Sequence, residues 1–325
     1  MMKLLVLGEF PGGVPSPSTV ELALVAARLA GDPLDCAVLS IGAGSGPVTP
    51  LPVPLVTVEH PSCALFEAGL QARVLAAAVR ELDPRIVLAA ATSSGRATLP
   101  AAAALLRCGL TADCTGLSLD PVTGDLLQTR PAFGGSVMAT IASPGSRPQM
   151  ATVRPRSLPV PANWKPVTAH RRLTLPDSTF DTLGVAALGA SLSPGLELDL
   201  ESADVIVAGG RGLRRAAGFG MLGELARLLG GRVAASRAAV EAGWIGHEHQ
   251  VGLSGRVVSP RLYVAVGISG AVQHLAGMRT AGAVVAINRD PRAPIMQAAD
   301  LALVGDAWVL VPDLIGRLRR GRGLP

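Results

Sequence analysis

The chain has 325 residues, 49% of them hydrophobic and 16% charged, with 38 glycines and an aromatic share of only 3%. Such apolar content excludes a disordered chain, and the length suggests two domains of roughly 150 residues. The net charge of +5 rests on 27 arginines and two lysines. These are scattered, apart from a run at Arg317, Arg319, Arg320 and Arg322, and lack interleaved stacking aromatics, which argues against nucleic-acid binding.

In chain order, residues 4–8 read as a strand, and a Pro/Gly-rich turn leads to Ser18 as the N-cap of a helix through Ala30. Strands follow at 37–41 and 55–59, then a long helix over 65–81 that stops before Pro84. Residues 86–90 form an apolar strand, and Ser93, Ser94 and Gly95 turn into an Ala-rich helix to Arg107. This alternation predicts a parallel sheet with helices on its faces. Extended pieces at 115–119, 126–130, 137–142 and 150–153 then follow without helices and read as antiparallel additions to the sheet's edge. Prolines at 155, 159, 161, 166 and 176 keep the next segment extended. Ser193-Pro194-Gly195 marks a domain boundary, separating 1–192 from 193–325.

The alternation restarts with strands at 204–208, 233–235, 263–266, 284–288 and 301–304. Helices are expected over 222–229, from Ser236 to about Gly243, from Ala271, and from Pro312 as the first position of a final helix. The fold class is therefore α/β: two domains, each a mostly parallel sheet with flanking helices, the C-terminal one doubly wound.

Cys36, Cys63, Cys108 and Cys114 show no Cys-x-x-Cys spacing, so neither structural zinc nor an iron–sulfur cluster is expected. His247 and His249 lack a third ligand nearby, and no metal site is expected. No segment has the h-region of a signal peptide or about 18 uninterrupted apolar residues. The expectation is a cytoplasmic protein without membrane insertion. No Ser/His/Asp or Cys/His arrangement fits a hydrolase, and no catalytic residue is assigned.

Ligands of open parallel sheets bind beyond the carboxyl ends of the strands. In the C-terminal half those ends carry Gly209-Gly210-Arg211-Gly212, Ser236-Arg237, Gly267-Ile268-Ser269-Gly270, Asn288 and Gly305-Asp306. Small residues admit backbone N–H groups to an anion, and Arg211 adds a charge-assisted clamp for a pyrophosphate oxygen. The spacing is not Gly-x-Gly-x-x-Gly. The pattern implies a nucleotide or dinucleotide and does not choose FAD over NAD.

Residues 261–278 read Arg-Leu-Tyr-Val-Ala-Val-Gly-Ile-Ser-Gly-Ala-Val-Gln-His-Leu-Ala-Gly-Met, followed after a short spacer by Val-Val-Ala-Ile-Asn. From Leu262 to Asn288 this resembles the signature of electron-transfer flavoprotein alpha subunits. Further similarity lies at 209–213, 234–243, 250–255 and 288–295, and in the first half at 130–141 and 147–155.

The resemblance implies an FAD-mediated electron carrier rather than an enzyme. Its donors would be dehydrogenases, typically of the acyl-CoA type of fatty acid β-oxidation, and its acceptor a quinone reductase. It implies a heterodimer with a beta subunit that itself holds AMP. The N-terminal domain would have a nucleotide-hydrolase-like sheet, with 130–155 contacting the partner. Arg211 would touch the FAD pyrophosphate, Ser236 would bind at its helix start, and Arg237 would lie over the flavin ring. Val251, Gly252, Leu253 and Ser254 would line the isoalloxazine edge, with the Ser254 hydroxyl near N5. Ser269, Gly270, Ala271, Val272, Gln273 and His274 would follow the phosphates and ribityl chain, His274 reaching the C2 carbonyl. Asn288, Asp306 and Ala307 would bracket the adenosine end. Leu253 and Ser254 depart from the family's usual Gln and Thr; Ser keeps the hydroxyl and Leu loses a polar contact. The competing readings are an NAD-binding enzyme and a non-redox nucleotide-binding scaffold sharing the C-terminal domain. No lysine lies beyond Lys165 to serve the enzyme reading.

Overall fold

The computed structural model describes residues 2–44, 50–132, 137–161, 163–181, 184–185, 187–189 and 200–321. The expected boundary at Ser193-Pro194-Gly195 and Arg322 of the terminal arginine run lie outside the described residues. The described chain forms two compact units, one ending at residue 189 and the other beginning at residue 200.

The first unit runs β1 (Leu4–Leu7), α1 (Pro17–Ala30), β2 (Cys36–Gly42), β3 (Leu55–Glu59), α2 (Ala68–Leu82), β4 (Ile86–Ala90), α3 (Ser93–Leu106) and β5 (Leu110–Cys114). It continues with β6 (Gly116–Leu119), β7 (Leu126–Ala132), β8 (Val137–Ile141), β9 (Gln149–Val153) and β10 (His170–Arg172). A seven-stranded sheet has the order β10-β3-β2-β1-β4-β9-β5, with every pairing parallel. Both faces are covered, which is why β1 is apolar at consecutive positions. Leu5 and Leu7 point to the core shared with α2 and α3, and Leu4 and Val6 to the core shared with α1.

The extended pieces after residue 115 differ from the sequence expectation. Strands β6, β7 and β8 make a separate three-stranded antiparallel sheet. Strand β9, by contrast, inserts between β4 and β5 as a parallel strand, buried at all five positions. Its polar Gln149 and Thr152 are buried because they accept from the Leu126 and Asp113 amides, partners that only the fold supplies. Strand β5, which the sequence reading missed, occupies one edge, and β10 pairs with β3 at the other.

The second unit contains β11 (Val205–Gly209), α4 (Gly218–Leu229), β12 (Arg232–Ala235), α5 (Arg237–Glu241) and β13 (Leu262–Val266). It ends with α6 (Val272–Met278), β14 (Ala283–Asn288), α7 (Pro294–Gln297), β15 (Leu301–Val304) and α8 (Ala307–Gly321). Its five parallel strands have the order β12-β11-β13-β14-β15, so the chain reverses direction across the sheet between β11 and β13. Gly209 is in register with Ala235 and Val266, and Val266 with Ile287. Four strands therefore end level, and their loops open on one edge at the topological switch point, where doubly wound sheets bind ligands.

Pro312 is not the first residue of the last helix. Asp306 accepts from the Trp308 amide at 3.1 Å and starts α8 earlier, leaving Pro312 inside it. Among the described residues no helix is long and apolar enough to cross a membrane. None of their His, Cys, Asp and Glu side chains gather into a metal-holding group of three.

Candidate functional site

The loops beyond β11, β12, β13 and β14 enclose a cavity of about 690 Å³, within the size range of cofactor sites. Twelve of the residues singled out from the sequence line it: Arg211, Ser236, Arg237, Val251, Gly252, Leu253, Ser254, Ser269, Ala271, Gln273, His274 and Asn288. They come from five separate stretches of chain.

Close backbone contact between loops brings them together. Gly212 donates its amide to the Gly267 carbonyl, and a Cβ on Gly212 would come within 2.7 Å of the Gly267 Cα. Loop 250–256 is tied on both sides: the Val251 amide reaches Ala235 O at 3.0 Å, and the Leu253 amide reaches Gln273 O at 3.0 Å. Gln250, itself buried, donates through Nε2 to the Ser254 carbonyl at 3.0 Å and to the Ser254 hydroxyl at 3.1 Å. The Ser254 hydroxyl, used there as an acceptor, keeps its own proton for a further bond.

The charged groups at the cavity are of both signs. Ser236 stands at the N-cap of α5 without a side-chain capping bond. One residue on, the exposed Arg237 guanidinium donates from Nε to Glu241 at 2.7 Å, an i,i+4 pair that also lines the cavity. Arg211 begins the turn after β11. Asn288 is engaged at both ends of its amide, donating to Ile268 O at 2.8 Å and accepting from the Asp290 amide at 3.1 Å.

His274 is buried and held from two sides. Nδ1 lies 3.1 Å from Val251 O, and Nε2 lies 3.0 Å from the hydroxyl of Tyr263, whose side chain is fully buried. A carbonyl only accepts, so Nδ1 carries the proton and Nε2 receives the Tyr263 O–H. Burial drives the imidazole down to about 4, partly opposed by the Val251 carbonyl, and pushes the Tyr263 phenol up. His274 is therefore a neutral ring at neutral pH. The sequence placed it at a flavin C2 carbonyl; in the structure both of its nitrogens already have protein partners.

Two models of known families match the chain: the electron transfer flavoprotein domain over residues 4–177 and the electron transfer flavoprotein FAD-binding domain over residues 199–279. The electron transfer flavoprotein subunit alpha of Thermoanaerobacterium thermosaccharolyticum is 44% identical over 268 residues, 81% of this chain and 79% of that one. The chain belongs to the electron transfer flavoprotein alpha-subunit family. Protein FixB of Clostridium saccharobutylicum is 46% identical, covering 76% of this chain and 74% of its own. The lactate dehydrogenase (NAD(+),ferredoxin) subunit LctC of Acetobacterium woodii is 40% identical, covering 79% and 61%.

This alpha-family chain thus carries FAD as its cofactor in the second unit, which settles the choice that glycine spacing left open. The cavity fits the group: two guanidinium groups suit phosphates and an electron-rich ring, and hydroxyl and amide side chains suit ring heteroatoms.

Four singled-out residues stand outside the cavity lining. Gly270 has φ +85°, and a Cβ there would lie 2.3 Å from the Ile295 amide nitrogen, so it lets the loop pass against α7. Val272 is 56% exposed on the outside of α6. Asp306 caps α8, and the Trp308 amide, followed by Arg289 and Arg214, holds its carboxyl below the usual range. Ala307 is the buried first residue of α8.

Sequence reasoning missed Glu241 and Tyr263. The first was signalled by its i,i+4 spacing from Arg237. The second is the one tyrosine in the chain, set in an apolar strand where a hydroxyl needs a partner.

A second cavity, of about 730 Å³, lies in the first unit above β1–β4. Glu9 and Glu59 line it and, among the described residues, no Lys or Arg does, which suits phosphates poorly.

Proposed function

We propose that this chain is the FAD-holding alpha subunit of a heterodimer that relays electrons without performing substrate chemistry. Its donors would be dehydrogenases of the acyl-CoA type and its acceptor a quinone reductase. The FAD, when bound, supplies the redox chemistry, and the protein supplies binding, orientation and electrostatics.

The observation that carries this reading is the convergence of twelve residues from five chain segments on one cavity within a family-matched FAD domain. In it, Arg211 holds the pyrophosphate, Ser236 binds FAD at the start of α5, and Ser269, Ala271, Gln273 and His274 follow the phosphates and ribityl chain. Arg237 and 251–254 hold the ring, with Leu253 giving an apolar contact where a polar one is usual. Asn288 borders the adenosine end. The beta subunit completes the site and holds AMP, and 130–155 contribute to the contact with it.

A second donor class is favoured by a specific relative, since one similar protein is named as a lactate dehydrogenase subunit. Reconstituting the purified heterodimer with an acyl-CoA dehydrogenase and excess acyl-CoA and, separately, with a lactate dehydrogenase and excess lactate tests the choice. Flavin bleaching at catalytic dehydrogenase concentrations is expected with the former; bleaching only with the latter overturns the acyl-CoA assignment.

A further inference from the structure

The flavin cavity has a floor that the cofactor-facing residues alone do not explain. Tyr263 projects from β13 into the core of the second unit, fully buried, and its hydroxyl lies 3.0 Å from Nε2 of His274. The opposite nitrogen of the same ring lies 3.1 Å from the Val251 carbonyl. Val251 opens the cavity wall 251–254, whose next amides are tied to Arg256 O and Gln273 O at 3.0 Å each. A buried hydroxyl, an imidazole and a loop carbonyl thus form one directed chain from the sheet to the cavity wall.

We infer that Tyr263 is a positioning residue of this site: by donating to Nε2 it holds His274 as the Nδ1–H tautomer, and through the Val251 carbonyl that tautomer fixes the wall formed by 251–254. The logic is one of donor and acceptor supply. A histidine with its proton on Nε2 would face Tyr263 with a donor and the Val251 carbonyl with a bare lone pair, costing the second bond. Among the described residues Nε2 is the one acceptor bonded to the Tyr263 hydroxyl, so the pair selects a single state. The consequence for the flavin rests on the carrier reading above; the tautomer does not.

The same chain keeps positive charge off the cavity floor. Helix α6 carries no charged side chain, and β13 faces the ring with Tyr263 alone. From loop 250–256 the ring meets the Val251 carbonyl, while Arg256 is turned to Glu201 at 3.4 Å. The charged side chains lining the cavity are Arg211, Arg237, Glu241 and Asp290, and none contributes to the imidazole's shift, which comes from burial and the Val251 carbonyl. Positive charge at a bound flavin ring would then be the task of Arg237, with the neutral His274 in the cavity wall.

Nitrogen-15 NMR of the full-length, flavin-free chain tests the tautomer directly. The expected spectrum shows His274 with Nδ1 protonated and Nε2 bare, unchanged from about pH 5 to 8. In Tyr263→Phe the bond that favours the neutral ring is gone, so the His274 midpoint rises by on the order of one pH unit. FAD affinity falls about fivefold. Adding Tyr263→Phe to His274→Gln costs no further affinity, because the two act through one chain. An Nε2–H tautomer or an imidazolium at pH 7 in the unaltered chain would overturn the inference, whether or not the variant folds. So would an unshifted titration in a folded Tyr263→Phe, or additive losses in the double variant. If the chain shows the stated tautomer but takes up no FAD even when co-expressed with its partner subunit, the carrier reading fails and the tautomer assignment stands.

Discussion

Arg237 and His274 occupy the same cavity with opposite electrical roles. The guanidinium is exposed; the imidazole is neutral because it is buried. A cation beside a ring that gains negative charge on reduction favours the reduced form. One exposed charge at about 4 Å is worth ~1 kcal/mol in water-like surroundings, or about 40 mV for a one-electron couple. Arg237→Ala is therefore expected to lower the flavin potential by on the order of 40 mV with FAD retained. Glu241→Gln, which frees the guanidinium from its i,i+4 partner, is expected to raise it by less. Spectroelectrochemical titration reads both, and an unchanged potential in Arg237→Ala removes that role. At this scale the motif made most lining residues legible, because glycine, serine and arginine at strand ends have few other uses. It did not show the charge state of His274, which depends on a burial that only the fold produces.

Elements are joined by a few buried polar contacts whose pH dependence follows from their surroundings. Glu21, buried on α1, accepts from the Arg156 amide at 2.7 Å and the Leu158 amide at 3.5 Å, fastening the chain after β9 to that helix. Burial raises its carboxyl more than these bonds lower it. A raised carboxyl favours folding fully below its unfolded value near 4.3, and that contribution is lost as pH rises through the folded value. Glu21→Gln keeps an acceptor and carries no charge. Its stability relative to the parent is expected to improve as pH is raised from about 4 to 7, read by urea denaturation; a difference independent of pH contradicts this.

Gly270 sets a different constraint, since its positive φ and the Ile295 amide leave no room for a side chain. Gly270→Val is expected to destabilise the second unit by at least ~2 kcal/mol, and thermal melting at the parent's temperature would show it does not. The alternation of strands and helices was plain in the sequence because each unit repeats one motif. The insertion of β9 between β4 and β5 was not, since that strand buries Gln149 and Thr152 against the Leu126 and Asp113 amides, which only the fold brings near.

Over the whole chain, charge is divided unevenly. Residues 200–325 contain fifteen arginines against nine acidic residues, whereas residues 1–199 contain fourteen Lys and Arg against fifteen. The FAD-binding half thus holds the net positive charge, and a basic surface speeds encounter with an acidic partner in a salt-dependent way. On the proposed function, the second-order rate of flavin reduction by a donor dehydrogenase is expected to fall severalfold between about 0.01 and 0.15 M salt, as the screening length shrinks from ~30 to ~8 Å. A rate insensitive to salt would mean that docking does not use this charge.

The central claim is that the loops beyond β11–β14 gather around one FAD. Its most direct test is to purify the chain with its co-expressed partner, denature the complex and measure the released chromophore by mass and absorbance. One FAD for each copy of this chain is the expected result. A colourless complex that releases no flavin and cannot be loaded with it would contradict the account.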